Sequence, residues 1–321
     1  MIMTENDEVK YLDNLIEQDD PTAKVGSYGR VNSIEYDVYS SKTIEDMGKY
    51  LDLHGETKRL TDVIKRANKP FLIYGAKGIG KTSLVHHICR KEDIALVEFS
   101  CGIGTNKSDL KGRLQVDKDG SYFERGVLPT AFLVANHFGH AVLYLDEIGA
   151  LEHDVQKWLN RPLDDRHSCE AGGKKYTLKE GCKLAIIATT NPIEYAGVNN
   201  LTEDLRSRFI GQRWTNPTSE ELEEIIDWTD IPTASVKEPL LTQTQNIYSS
   251  RIQGDVEYVL SPRDLKQFTE VYRELIEDGD LSGDQILEET IKESILIKYT
   301  DPNEHELVKS RCQETFGVTI A

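Results

Sequence analysis

Cysteine is scarce in this sequence. Five residues in 321, Cys89, Cys101, Cys169, Cys182 and Cys312, are scattered with no C-x-x-C pair, and their odd number leaves no complete disulfide set. Buried free thiols in a reducing compartment are expected. Long apolar runs are missing as well: none approaches the roughly 20 residues that a membrane helix needs. The opening MIMTENDEVK is acidic where a secretory leader would be basic and then apolar. A soluble, cytoplasmic chain with no membrane partner is the expectation. Basic residues are outnumbered, 38 Lys and Arg against 55 Asp and Glu, for a net charge of −17. Such a surface repels phosphate backbones except where bases cluster, which disfavours tight nonspecific binding of DNA or RNA. Internal repeats and low-complexity tracts are also lacking.

The apolar share of 38% in 321 residues is enough for a real core and a smaller second module. Residues 1–42 read as an acidic N-terminal extension, broken at Asp19-Asp20-Pro21, with β-prone pieces such as 33–39 at its end. From Thr43 the pattern turns helical up to Lys69. Pro70 then introduces the apolar run Phe71-Leu72-Ile73-Tyr74, which ends at a glycine and reads as a buried strand. Further strand-like runs at 94–99, 141–145 and 184–189 alternate with helical segments such as 128–136, the pattern of a parallel sheet flanked by helices. After Asn216-Pro217 the strands cease, and amphipathic stretches at 219–227, 262–278 and 285–297 predict a small all-helical domain over 218–321. The α/β core is placed at 43–217.

The segment GAKGIGKT at 75–82 satisfies G-x-x-x-x-G-K-T, follows a predicted strand and opens a helical run at 83–89. Gly75, Gly78 and Gly80 let the backbone fold around phosphates, with Ala76, Lys77, Ile79 and Ser83 completing the cradle. A helix N-terminus adds a favourable dipole. Lys81 would reach the β- and γ-phosphates of ATP, and the Thr82 hydroxyl would ligate Mg²⁺. Asp146 and Glu147 in AVLYLDE end another apolar strand: Asp146 is the metal-side acid, and Glu147, turned the other way, the candidate base for an attacking water. Carboxylate pairs at strand ends are common by themselves; the upstream glycine loop gives this one its meaning. The next strand runs into Thr190-Asn191-Pro192, which brings the Asn191 amide to the ligand-binding edge of such a sheet. Arg206 and Arg208 in LRSRF, and Arg263 in SPR, suit the charge that develops on a transferring phosphoryl group.

The ordered set GAKGIGKT, LYLDE, ATTNP, SRF and SPR resembles the AAA+ ATPases over residues 43–271. Ser108 to Arg113, Glu124 to Leu128, Pro162 to Arg166 and the stretch NPIEYAGVNNLTEDLRSRF are similar to the MoxR type, in particular its CbbQ/NorQ/NirQ branch. The resemblance implies a P-loop NTPase (AAA+) α/β core followed by a helical lid. It also implies a homo-oligomeric, hexameric ring with ATP sites between subunits. Arg208 would be the arginine finger, Arg206 its neighbour, and Arg263 sensor 2. A chaperone role toward a protein client, beside a partner carrying a von Willebrand factor A domain, is implied too. Two β-hairpin insertions are expected, turning at Asp117 to Gly120 and at Gly172-Gly173. The family's Asp-Asp-Arg-Arg is Asp-Asp-Arg-His here, at Asp164 to His167, and the acidic extension has no counterpart.

Several weaker signals point elsewhere. Asn106-Lys107-Ser108-Asp109 matches N-K-x-D and Asp146 to Gly149 matches D-x-x-G, but in GTPases the guanine reader follows D-x-x-G and here it precedes it. His86-His87 with Cys89 has no second cluster at ligand spacing, so a helix-surface and core reading is preferred. Trp158 and Trp214 suit a core, and Glu220 to Glu224 a charged first helical turn. Tyr122-Phe123, beside a predicted turn, fits either local packing or contact with a client. The leading function is Mg-dependent ATP hydrolysis by a ring that remodels a protein client; the alternative is a DNA-acting motor, a helicase or restriction-type translocase, on the same fold.

Overall fold

A computed structural model describes residues 34–45, 50–117, 120–164, 168–192, 199–281 and 283–321. The acidic segment before residue 34, the turn residues Lys118 and Asp119, the Asp165-Arg166-His167 stretch and residues 193–198 lie outside them. Two compact units form. One runs to Gly75 and resumes from Gly80 to Trp214; the other joins Ala76–Ile79 to Thr215–Ala321.

In the first unit the described order is β1 (Asp37–Tyr39), α1 (Glu56–Arg66), β2 (Phe71–Tyr74), α2 (Lys81–Lys91), β3 (Ala95–Ser100), α3 (Lys107–Lys111), β4 (Gly112–Asp117), β5 (Gly120–Arg125), α4 (Val127–Phe138), β6 (His140–Asp146), α5 (His153–Leu159), β7 (Ser168–Ala171), β8 (Lys174–Thr177), β9 (Lys183–Thr190), α6 (Glu203–Arg206) and β10 (Ile210–Arg213). Six of these strands make one sheet, β1-β3-β6-β9-β2-β10, in which β1 runs antiparallel to β3 and the other pairs are parallel. The inner strands β6 and β9 are apolar on both sides because both faces are covered. On β6, Ala141, Leu143 and Leu145 pack with Leu128, Ala131 and Phe132 of α4, while Val142 and Tyr144 pack with Leu84, Val85 and Ile88 of α2.

The N-terminal side departs from the sequence reading in two places. β1 adds an edge strand to the sheet, and Ile34, Tyr36 and Val38 are buried in its core, so the end of the segment read as an extension is structural. Among the described residues, the expected helix from Thr43 to Lys69 is realised from Glu56 to Arg66. Gly55 takes the left-handed conformation, φ 73°, and the Glu56 carboxylate accepts hydrogen bonds from the His54 N–H at 2.8 Å and the Tyr50 hydroxyl at 3.0 Å. Over residues 50–55 a chain turn closed by that carboxylate stands in place of helix.

Both expected hairpins form, as β4–β5 and β7–β8. Gly172 and Gly173 both have positive φ, as a two-residue turn between right-twisted strands requires. The N-K-x-D segment is a helix cap: Asn106 accepts from the N–H groups of Ser108 and Asp109, and Asp109 returns a bond to the Asn106 N–H. Phe123 packs locally. Its ring lies where a Cβ on Gly112 or Gly172 would come within 2.7 Å, and it joins the main core. The described contacts therefore favour packing over a client role for Phe123.

The second unit is helical: α7 (Ser219–Ile225), α8 (Glu238–Gln253), α9 (Pro262–Asp278), α10 (Asp284–Ser294) and α11 (Pro302–Phe316). Leu240, Ile247, Leu265, Phe268, Ile291, Val308 and Cys312 belong to its own core. Among the described residues no helix is long and apolar enough to cross a membrane.

Phe123→Ala is expected to lower stability by about 2 kcal/mol, the scale of emptying a partly buried aromatic site. A shifted urea midpoint with an unchanged slope checks it.

Candidate nucleotide site

The sheet order sets the carboxyl ends of β6, β9 and β2 side by side. Tyr74 lies opposite Thr190, and Leu145 opposite Ala188, so Gly75, Asn191 and Asp146 arrive at one edge. The connection from β2 to β3 passes over β9 and β6, which makes this edge a switch point of the kind where α/β sheets bind ligands.

The glycine loop leaves β2 with the Gly75 N–H bonded to the Thr190 carbonyl at 3.1 Å. Gly78 and Gly80 hold φ of 78° and 90°, a region that side chains rarely adopt. At Gly78 there is no room for one either: a Cβ would stand 2.4 Å from Ser261 Oγ and 3.5 Å from the Arg263 Cβ. Thus the tip Ala76–Ile79 and the start of α9 share the second unit, and Arg263 lies beside the loop. That helix start is firmly held. Asp264 accepts from the Ser261 N–H and hydroxyl at 2.7 Å each, from the Tyr258 hydroxyl at 2.9 Å and from Lys298 at 3.1 Å.

Lys81, at the start of α2, is buried, and its ammonium donates to the Gly75 carbonyl and to Asn191 Oδ1, each at 2.7 Å. The same amide donates from Nδ2 to Glu147 Oε1 at 3.1 Å. Asn191 therefore spans the loop lysine and the second carboxylate of the sheet edge. Ala76, Ile79, Thr82 and Ser83 are half-buried and Lys77 exposed.

A second polar chain runs beside the first. Thr82 Oγ1 is 3.1 Å from the Tyr144 hydroxyl, which donates to Asp146 Oδ1 at 2.9 Å. The Thr189 hydroxyl donates to that same oxygen and accepts the Glu147 N–H at 2.9 Å. Glu147 sits at φ 55°, a left-handed conformation that costs a side-chain-bearing residue about 1–2 kcal/mol. Burial, reinforced by the Asp146 charge, holds the Tyr144 phenol well above its ordinary pKa, so it stays protonated. Burial, with Asp146 and Glu147 adding to it, pushes the Cys101 thiol up likewise, and the Cys101 N–H donates to the Asp146 carbonyl at 2.8 Å.

Sequence reasoning assigned no role to Tyr144, Thr189 or Cys101. The available signal was a hydroxyl placed inside an otherwise aliphatic strand. The arginines of LRSRF lie apart from these contacts: Arg208 Nε donates to Asn160 Oδ1 at 3.3 Å, and Arg206, at the end of α6, is exposed.

Residues 70–209 match the AAA domain (dynein-related subfamily). The fold is that of an AAA+ P-loop ATPase, and MoxR-type AAA+ proteins are among those the chain is similar to. It is 26% identical to the denitrification regulatory protein NirQ of Stutzerimonas stutzeri over 199 residues, 62% of this chain and 70% of that one. Against protein CbbQ of Hydrogenophilus thermoluteolus it is 25% identical over 157 residues, 49% of this chain and 57% of CbbQ, so the match spans little more than half of that relative. The solved structure of a putative ATPase from Cytophaga hutchinsonii aligns with a TM-score of 0.40 and 16% identity, covering 97% of this chain and 83% of that one. The AAA+ match ends at Phe209 and takes in the glycine loop, Asp146, Glu147, Asn191, Arg206 and Arg208, while Arg263 falls beyond it.

Thr189→Val in this AAA+ core keeps the shape of the side chain and removes the hydroxyl that serves both Asp146 and Glu147. A loss of about 1–3 kcal/mol in stability is expected, since the Glu147 N–H and one carboxylate bond go unsatisfied. Chemical denaturation of the nucleotide-free chain checks it.

Proposed function

We propose that the chain binds Mg-ATP on residues 75–83 and hydrolyses it, as a ring-forming AAA+ ATPase that remodels or activates a protein client. The observation that carries this reading is the Asn191 amide joining Lys81 to Glu147, with Asp146 one residue away at the same sheet edge. A phosphate-binding cation and a candidate base are thereby tied to one planar group. Gly80, as N-cap of α2, offers no side-chain acceptor to the first-turn N–H groups, which suits them to phosphate oxygens.

The donor set of Thr82 hydroxyl and Asp146 carboxylate consists of hard oxygens and fits Mg²⁺. Such an ion, when bound, would neutralise phosphate charge. Lys81 would hold the β- and γ-phosphates, and Glu147 would orient a water and take its proton. Asn191 positions Glu147 and can donate to the γ-phosphate or the water in turn. Arg263, beside the loop tip, fits a sensor of the bound nucleotide, and Arg208 fits a finger reaching a neighbouring subunit's site, with Arg206 as the other candidate.

A protein client, rather than DNA, agrees with the net charge of −17 and with the word regulatory in the name of the NirQ relative. The β4–β5 hairpin offers a contact: Leu114 and Val116, two apart and so on one face, are 69% and 77% exposed. A partner with a von Willebrand factor A domain and a hexameric state rest on the family resemblance.

Glu147→Gln is expected to keep ATP bound and to reduce turnover by at least about 100-fold, because the amide preserves shape and cannot accept the proton. Steady-state phosphate release with a binding measurement on the same sample tests it. Unchanged turnover would move the base elsewhere.

Mixing tests the arginine. Arg208→Ala subunits keep their own glycine loop and Lys81→Ala subunits keep their own arginine, so mixed rings should regain sites that neither pure ring has. Confirmed co-assembly without recovered hydrolysis would count against an arginine acting between subunits at this position.

A further inference from the structure

We propose that Tyr144 is a positioning residue for the metal: its hydroxyl sets the direction in which Thr82 offers its lone pairs and fixes which oxygen of Asp146 faces the ion. This rests on the Mg-ATP reading above. The argument is a count of hydrogens. A phenol has one, and here it goes to Asp146 Oδ1 at 2.9 Å. The 3.1 Å contact with Thr82 Oγ1 can then be made only with Thr82 as the donor. The Thr82 hydrogen therefore points at Tyr144, and its lone pairs point away from it. A cation ligand needs that orientation, because it must offer electrons rather than a hydrogen.

The carboxylate is set in the same way. Both described hydrogen bonds on Asp146 side-chain oxygens, from Tyr144 and from Thr189, land on Oδ1. Oδ2 is left as the oxygen to turn toward a cation. Two ligands, one on α2 and one at the end of β6, are thus oriented by a single side chain that touches both.

The ring that carries this hydroxyl cannot drift. Tyr144 is fully buried, on the sheet face that packs against Leu84, Val85 and Ile88 of α2. A phenylalanine would fill the same space, so apolar packing alone gives no reason for the oxygen. Sharing a face with Asp146 follows from their spacing of two along β6, and meeting Thr82 follows from α2 covering that face. Preorganised ligands need no reorientation when the ion arrives, which is what a supporting side chain contributes to a metal site.

The test is Tyr144→Phe in the full chain, read by binding of a fluorescent ADP analogue, first in EDTA and then across a Mg²⁺ titration. The expected result is an affinity in EDTA within about twofold of the unsubstituted chain and a Mg²⁺ midpoint raised about tenfold, the scale of one lost charge-assisted hydrogen bond. Mn²⁺, which binds oxygen and nitrogen sites more tightly than Mg²⁺, should recover part of the loss. An unmoved Mg²⁺ midpoint, with or without a lowered melting temperature, overturns the proposal and leaves Tyr144 a core residue. If the variant does not fold, a difluorotyrosine placed at 144 keeps ring and hydroxyl while strengthening the donor. A midpoint that ignores that change overturns the proposal equally. Failure of the underlying reading looks different: the unsubstituted chain itself would then bind no nucleotide, or bind it without any response to Mg²⁺.

Discussion

The constraint on which the site depends is the parallel register of β6, β9 and β2. Leu145 pairs with Ala188 and Tyr74 with Thr190, so three strand ends reach one edge within a residue of each other. Side chains alternate along a strand, and a slip of one residue would exchange the faces of the whole strand. Tyr144 and Asp146 would then point toward α4 instead of α2, away from Thr82. The apolar pattern forbids that slip. Ala141, Leu143 and Leu145 fill one core and Val142 with Tyr144 the other, so exchanging them would misfit both layers at once.

Much of this site was legible in the sequence because it is local. The glycine loop needs a strand before it, glycines within it and a helix after it, and all three lie within twenty or so residues that can be read in a line. The same holds for the carboxylate pair at the end of β6 and for Asn191 at the end of β9. Tyr144 and Thr189 escaped notice because their roles depend on cross-strand register and on which helix covers which face. Neither leaves a trace in the spacing of one segment.

The helical unit divides similarly. α9 carries a strong apolar stripe and was expected at its observed bounds. α8 and α11 were not foreseen, and the reason is chemical. α8 buries Gln243, Thr244 and Ser250, which in sequence look like surface. Gln243 donates to Cys312 Sγ at 3.4 Å and accepts from Thr315 at 3.1 Å, while the Thr244 and Ser250 hydroxyls return to carbonyls one turn back. Polar groups satisfied this way can sit inside a core, yet they erase the periodicity that a sequence reading relies on. The opposite happens at residues 50–55, where a helical pattern is present but Gly55 and the Glu56 carboxylate stabilise a turn instead.

Asn191 illustrates why the residue type matters as much as the position. Its amide oxygen accepts from Lys81 and its amide nitrogen donates to Glu147, two groups of opposite charge. An aspartate in its place would accept from Lys81 but would set one carboxylate against another at Glu147. A leucine of nearly the same shape would take one hydrogen-bond partner from the buried Lys81 ammonium and one from the half-buried Glu147 carboxylate. A serine would fall short of both groups. A carboxamide presents a donor and an acceptor on one rigid plane. Because that plane turns as a unit, the two hydrogen bonds tie the orientation of the Lys81 ammonium to that of the Glu147 carboxylate with no intervening flexible chain.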